Sequence, residues 1–150
     1  MFLKIKKEMK KQLNAGFLEI SKYPQWVVNI VLVPKKDNKV WMCVDYRDLN
    51  RASPKDNFLL PHIDTLVDNT TKHSLFSFMD GFSSYNQIKM ALEDMEKTTF
   101  LTMWGTFCYK VMPFRLKNVG ATYQRAMVTL FHDMMHKKIE VYVDDMIAMS

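Results

Sequence analysis

The chain has 150 residues, one domain's worth by size, and 48% of them are hydrophobic, enough for a packed core and too many for intrinsic disorder. No apolar run approaches the roughly 18 residues of a membrane span. The start, Met1-Phe2-Leu3-Lys4-Ile5-Lys6-Lys7, lacks the features of a secretory signal, so the expectation is an intracellular protein, not secreted and not in a membrane. The net charge of +5 is concentrated in residues 1–12, which hold five Lys against one Glu, and glycine is scarce at 4 residues.

The basic segment 1–12 stands apart from residues 13–150. Leu3, Ile5, Met9 and Leu13 among its lysines predict a helix over 3–15 closed by Gly16. Its lysines form either a solvated face or a phosphate-binding one. Val27–Val33, rich in β-branched residues and stopped by Pro34, predicts a buried strand. Lys35–Lys39 reads as a charged turn and Val40–Tyr46 as the returning strand. Residues 50–62 read as loop, 62–68 as a short helix, and Leu75–Met79 as a strand running into Asp80. Thr98–Thr102 and Thr106–Met112 predict a hairpin around Trp104-Gly105.

Apolar residues at 119, 123, 126, 127, 130, 131, 134 and 135 predict a helix over 118–138, with Lys137 and Lys138 at the negative end of its dipole. His132 and His136 would share one face of it at a Zn²⁺-binding spacing, without an evident third ligand. Ile139–Val143 and Met146–Met149 are apolar runs separated by Asp144-Asp145. Strands and helices mixed without regular alternation predict an α+β fold. Cys43 and Cys108 form no metal-type or redox-type pair and read as free thiols.

Val141-Tyr142-Val143-Asp144-Asp145-Met146 carries the chemistry. A hairpin there would display two carboxylates at its tip, although an ordinary acidic turn has the same composition. Asp80, at the end of another apolar strand, supplies a third carboxylate. Such a set can hold two Mg²⁺ ions for an in-line phosphoryl displacement.

Several segments in order resemble one family. Phe78-Met79-Asp80-Gly81-Phe82-Ser83-Ser84-Tyr85-Asn86-Gln87-Ile88, Tyr109-Lys110-Val111-Met112-Pro113-Phe114, Gly120-Ala121-Thr122-Tyr123-Gln124-Arg125 and Tyr142-Val143-Asp144-Asp145 are similar to the reverse transcriptase of gypsy-type LTR retrotransposons, plant elements in particular. Met42-Cys43-Val44-Asp45-Tyr46-Arg47-Asp48-Leu49-Asn50 and Pro61-His62-Ile63-Asp64 fall in the same order. The resemblance implies a polymerase palm with a ferredoxin-like sheet, and a fingers portion over roughly 10–60 and 85–115. It implies RNA-directed DNA polymerase (nucleotidyltransferase) activity with two Mg²⁺ ions, or Mn²⁺ in their place. The partners would be an RNA or DNA template with its primer, and deoxynucleoside triphosphates.

Residue by residue, it makes Asp80 and Asp144 metal-binding carboxylates, Asp145 the second Asp of the hairpin, and Gly81 a carbonyl in the metal shell. Tyr85 would stack under the incoming deoxyribose, although a core aromatic is the plainer reading of that ring. Lys35 or Lys36 would reach the triphosphate, and Phe114 would lie beside the nucleotide pocket. Gln124 and Arg125 would lie on the helix that borders the template, Arg125 being equally readable as a solvated residue.

The sequence departs from the family near the nucleotide. Trp41 stands where an Arg contacts the triphosphate, and Asn38, Ser84 and Arg115 stand where Gly is usual. The chain ends five residues after the acidic pair, so thumb and RNase H domains are expected to be missing. Little polymerase activity is expected of this fragment alone. The alternative is a non-catalytic retroelement relic that at most binds nucleic acid through residues 4–11 and the fingers lysines.

Overall fold

The computed structural model describes residues 1–80 and 84–150, and at Asp80 and Ser84 the backbone alone. The fold is α+β, and the chain divides into two compact units, residues 1–54 with 86–116 and residues 55–85 with 117–150.

In the first unit, helix α1 (Phe2–Asn14) buries Ile5 and Met9, four residues apart on one face, and leaves its lysines exposed. Gly16 closes it at φ +76, where Phe17 N–H donates to the Gln12 carbonyl. Strands β1 (Leu18–Ile20), β2 (Val28–Pro34) and β3 (Val40–Val44) follow, then helix α2 (Arg47–Ala52). The unit resumes after residue 85 with α4 (Leu92–Met95), a 3₁₀ turn (Glu96–Thr98), β5 (Phe100–Thr102) and β6 (Gly105–Tyr109). Helix α3 (Ile63–Thr70) lies in the second unit.

The first unit's sheet runs β1-β6-β5-β2-β3, antiparallel except where Val28 and Asn29 of β2 pair in parallel with Phe100 and Leu101. Its core joins Ile5, Met9, Leu18, Val44, Tyr46, Leu49, Phe100, Phe107 and Tyr109. The Tyr46 hydroxyl donates to the Thr98 carbonyl at 3.0 Å, and Thr98 Oγ1 accepts from Tyr109 N–H at 3.0 Å, which pins the 3₁₀ turn to the residue before α2 and to β6.

β2 was expected to be buried, but its exposure alternates, with Val31 and Val33 facing outward. A continuous apolar run suits burial on both faces, whereas this ribbon meets its core with one. α2 takes the first three residues of the expected loop, and β3 stops at Val44 because Asp45 and Tyr46 lead into that helix.

The second unit carries a three-stranded antiparallel sheet, β4-β8-β7, built from β4 (Phe76–Asp80), β7 (Ile139–Tyr142) and β8 (Asp145–Met149). Helices α3 and α5 (Val119–Leu130) contact β7. α5 is shorter than the helix expected over 118–138. The chain must reverse to enter β7 at Ile139, and it turns over 131–138 with His136 at φ +62. The Met134 carbonyl accepts from the N–H groups of Lys137, Lys138 and Ile139 there. Lys137 and Lys138 therefore do not lie at the helix end, and His132 and His136 do not share a helical face. His136 Nδ1 instead lies 3.0 Å from the carboxylate of buried Glu140, which also accepts from Asn69 Nδ2 at 2.9 Å.

Candidate active site

The acidic pair sits on a hairpin with a two-residue loop. Tyr142 and Asp145 close it, so the loop is Val143-Asp144 and Asp145 is the first residue of β8. Of the two carboxylates expected at the tip, Asp144 is in the turn and Asp145 is already in the ladder, and both are exposed. The β4–β8 register sets Asp80 directly opposite Asp145. At this position across the sheet Asp80, Asp145 and Tyr142 lie side by side, with Asp144 in the turn that adjoins Asp145.

Val143 has φ +55, a region that β-branched residues rarely enter. Backbone held there stores on the order of 1–3 kcal/mol, so the surroundings must over-determine it. α5 packs against it there: a Cβ at Gly120 would sit 3.4 Å from Val143 Cγ1, a close contact. Gln124, one helical turn on, is fully buried; its Oε1 accepts from Val143 N–H at 2.7 Å and its Nε2 donates to the Val141 carbonyl at 2.8 Å.

Tyr85, in a 3₁₀ turn at Ser84–Gln87, is 8% exposed and meets Tyr123 edge-on at 5.5 Å between ring centroids. Burial raises its phenol above the ordinary value, and the Asp144 charge adds to the effect, so the ring stays neutral at physiological pH.

Lys35, Lys36 and Phe114 belong to the other unit. Lys35 opens the β2–β3 turn, with its Nζ 3.6 Å from the centroid of the exposed Trp41 ring; Lys36 is exposed beside it. Phe114 is exposed and precedes Arg115, at φ +75, whose carbonyl accepts from Asn50 Nδ2 at 2.7 Å. Asn38 has φ +54. Two of the three positions where a glycine is usual in the resembled family therefore do take the left-handed backbone that favours it.

Gln124, expected on the helix that borders the template, lies on α5 with its carboxamide fully buried and bonded to the backbone of Val141 and Val143. Its place was readable in part, since 124 lies on the apolar face between Tyr123 and Met127 and four residues after Gly120. Arg125 is also engaged: it pairs with Asp56 at 2.8 Å and lies 5.0 Å over the Phe58 ring. Gly81 lies outside the described residues, as does the Asp80 side chain. Among the described residues no three His, Cys, Asp or Glu groups are clustered to hold a metal. As a donor set, Asp80, Asp144 and Asp145 offer only carboxylate oxygen, which suits hard ions such as Mg²⁺. No helix among the described residues is long and apolar enough to cross a membrane.

Comparison with known proteins places these features in context. Residues 33–150 match the family model described as reverse transcriptase (RNA-dependent DNA polymerase). The chain is 32% identical to the retrovirus-related Pol polyprotein from transposon 297 of Drosophila melanogaster, across 99% of the chain and 14% of that protein. It is 35% identical to an RNA-directed DNA polymerase homolog of Oenothera berteroana, across 71% of the chain and 75% of that protein. Among solved structures, a foamy viral protease-reverse transcriptase in complex with RNA/DNA hybrid superposes with a TM-score of 0.83 at 23% identity, over 97% of this chain and 19% of the other. The chain thus spans about one seventh of the Drosophila polyprotein and three quarters of the Oenothera homolog.

Proposed function

We propose, for a chain that belongs to the reverse transcriptase (RNA-dependent DNA polymerase) family, that it carries the fingers and palm of a retrotransposon RNA-directed DNA polymerase, gypsy-type and of plant affinity. The unit of residues 1–54 and 86–116 is the fingers, and the unit of residues 55–85 and 117–150 the palm. The reaction is attack of a primer 3′-hydroxyl on the α-phosphate of a deoxynucleoside triphosphate, with pyrophosphate leaving, on an RNA or DNA template.

The observation that supports this best is the register of β4, β8 and β7, with Asp80 opposite Asp145 and Asp144 in the adjoining turn. Asp80, Asp144 and Asp145 would hold two Mg²⁺ ions, which when bound stabilise the attacking and leaving oxygens of such a displacement. Gly81 would add its carbonyl to the metal shell. Tyr85 offers a neutral ring to the deoxyribose, Phe114 borders the nucleotide, and Lys35 and Lys36 supply positive charge to its phosphates.

A second reading is favoured by one observation. Arg115, at φ +75 beside Phe114, stands where the resembled family usually has Gly, which favours a relic that at most binds nucleic acid without extending it. Mn²⁺ titration followed by electron paramagnetic resonance tests the catalytic reading at its site. The wild-type chain should bind Mn²⁺, and Asp144→Asn should weaken binding at least tenfold. Equal binding by the two proteins would refute the assignment.

A further inference from the structure

Among the described residues β7 is an edge strand of the sheet β4-β8-β7, so alternate backbone groups along it point away from β8. Val141 C=O is such a group, and the Val143 N–H lies just past the last pair, in the turn; backbone groups of this kind need partners where water is excluded. The Gln124 carboxamide satisfies both, accepting from one and donating to the other, as one amide of a missing neighbouring strand would. A neutral carboxamide suits the task because it presents an acceptor and a donor side by side. Its side chain is fully buried, so the amide is shielded from water. Gly120, on the same face of α5 and one turn earlier, lies against the Val143 side chain. The residue whose N–H Gln124 holds is the one at φ +55, and Asp144 follows it directly.

We infer that Gln124 is a positioning residue: through its bonds to Val141 of β7 and to Val143 of the turn it holds Val143 in its strained conformation and thereby aims Asp144. The inference rests on the proposal that Asp144 is a metal-binding catalytic carboxylate. The bonds themselves do not depend on it. Residues that orient a metal-binding group through one intermediate typically change metal affinity by about 10–100-fold when removed.

The test uses the 150-residue chain, ¹⁵N-labelled. Gln124→Met keeps length and apolar bulk while deleting both hydrogen bonds. In it the Val143 amide should exchange with solvent at least about tenfold faster, while the β8 amide of Met146, on the partner strand, keeps its protection. Mn²⁺ affinity should fall about tenfold, within the range expected for a supporting residue. Gln124→Glu is the conservative variant. Burial favours its neutral form, and a protonated carboxyl again donates and accepts, so in mildly acidic buffer it should restore slow Val143 exchange. If Gln124→Met does not fold, the glutamate variant decides alone, by Val143 exchange that is slow when the carboxyl is protonated and fast when it is ionised.

Val143 exchange within twofold of wild type in the methionine variant would overturn the inference. So would uniform loss of protection across the hairpin, since that marks general support of the sheet rather than a grip on the turn. A wild-type chain that binds no Mn²⁺ would defeat the catalytic reading, and Val143 exchange would still decide whether Gln124 holds the turn.

Discussion

Replacing Trp41 by Arg should tighten deoxynucleotide binding. Trp41 lies in β3 opposite Val33, is 57% exposed, and has the Lys35 ammonium 3.6 Å from its ring centroid. At an exposed site that cation–π contact contributes about 0.5–1 kcal/mol, and it holds Lys35 against the indole. An indole has one donor and no charge, whereas a guanidinium presents a charged fork matched to phosphate. A charge-assisted hydrogen bond to phosphate contributes about 1.5–3 kcal/mol, equivalent to roughly a tenfold to 150-fold gain in affinity. Trp41→Arg also frees Lys35, and the two cations then repel one another, so the tighter binding should weaken with salt. Fluorescence polarisation of a labelled deoxynucleoside triphosphate with Mg²⁺ measures the change directly. An intact Trp41→Arg chain that binds nucleotide no more tightly than wild type would refute the argument that this position governs triphosphate contact.

Three further outcomes follow from the first unit's geometry. Tyr46→Phe leaves the buried Thr98 carbonyl without its hydroxyl donor and makes no cavity, so denaturant unfolding should show a loss of about 1–3 kcal/mol; a loss under a few tenths would contradict the buried bond. Burial pushes the Cys108 thiol up to about 11, so native alkylation at neutral pH should spare it until the chain unfolds. Hydrogen bonds from Arg47 hold the Asp45 carboxyl down at about 2 instead of the ordinary 3.8. A depressed folded-state value means its stabilisation is present above about pH 4 and lost as pH falls toward 2. Carboxyl NMR titration of Arg47→Ala should move Asp45 back toward the ordinary value, and an Asp45 that titrates normally in wild type would contradict the pairing.

The strands were legible because short β-branched runs are bounded by Pro34, by charged turns or by glycine. The Asp144 hairpin was legible from two apolar runs around an acidic pair, although composition alone could not show that the loop begins at Val143. Arg115 and Asn38 at positive φ follow from their standing at glycine positions of the resembled family. Other features left no local trace. Met134 and Met135 keep helical spacing while their backbone turns, since tertiary reversal into β7 overrides periodicity. α2 is six residues with four charged or polar side chains among its core, too short for a periodic signal, and β1 is only three residues. The burial of Gln124 was not legible, because spacing cannot tell a buried amide that serves an edge strand from an exposed one. That distinction needs the partner strand's free groups, which pairing order alone defines.

The central claim is that Asp144 on this hairpin supports nucleotide transfer. Primer extension on an RNA template with Mg²⁺, run beside Asp144→Asn, tests it most directly. The account predicts slow incorporation by the wild-type chain, raised by Trp41→Arg and abolished by Asp144→Asn. Salt-sensitive RNA binding with no extension by either wild type or Trp41→Arg would contradict it and establish the relic.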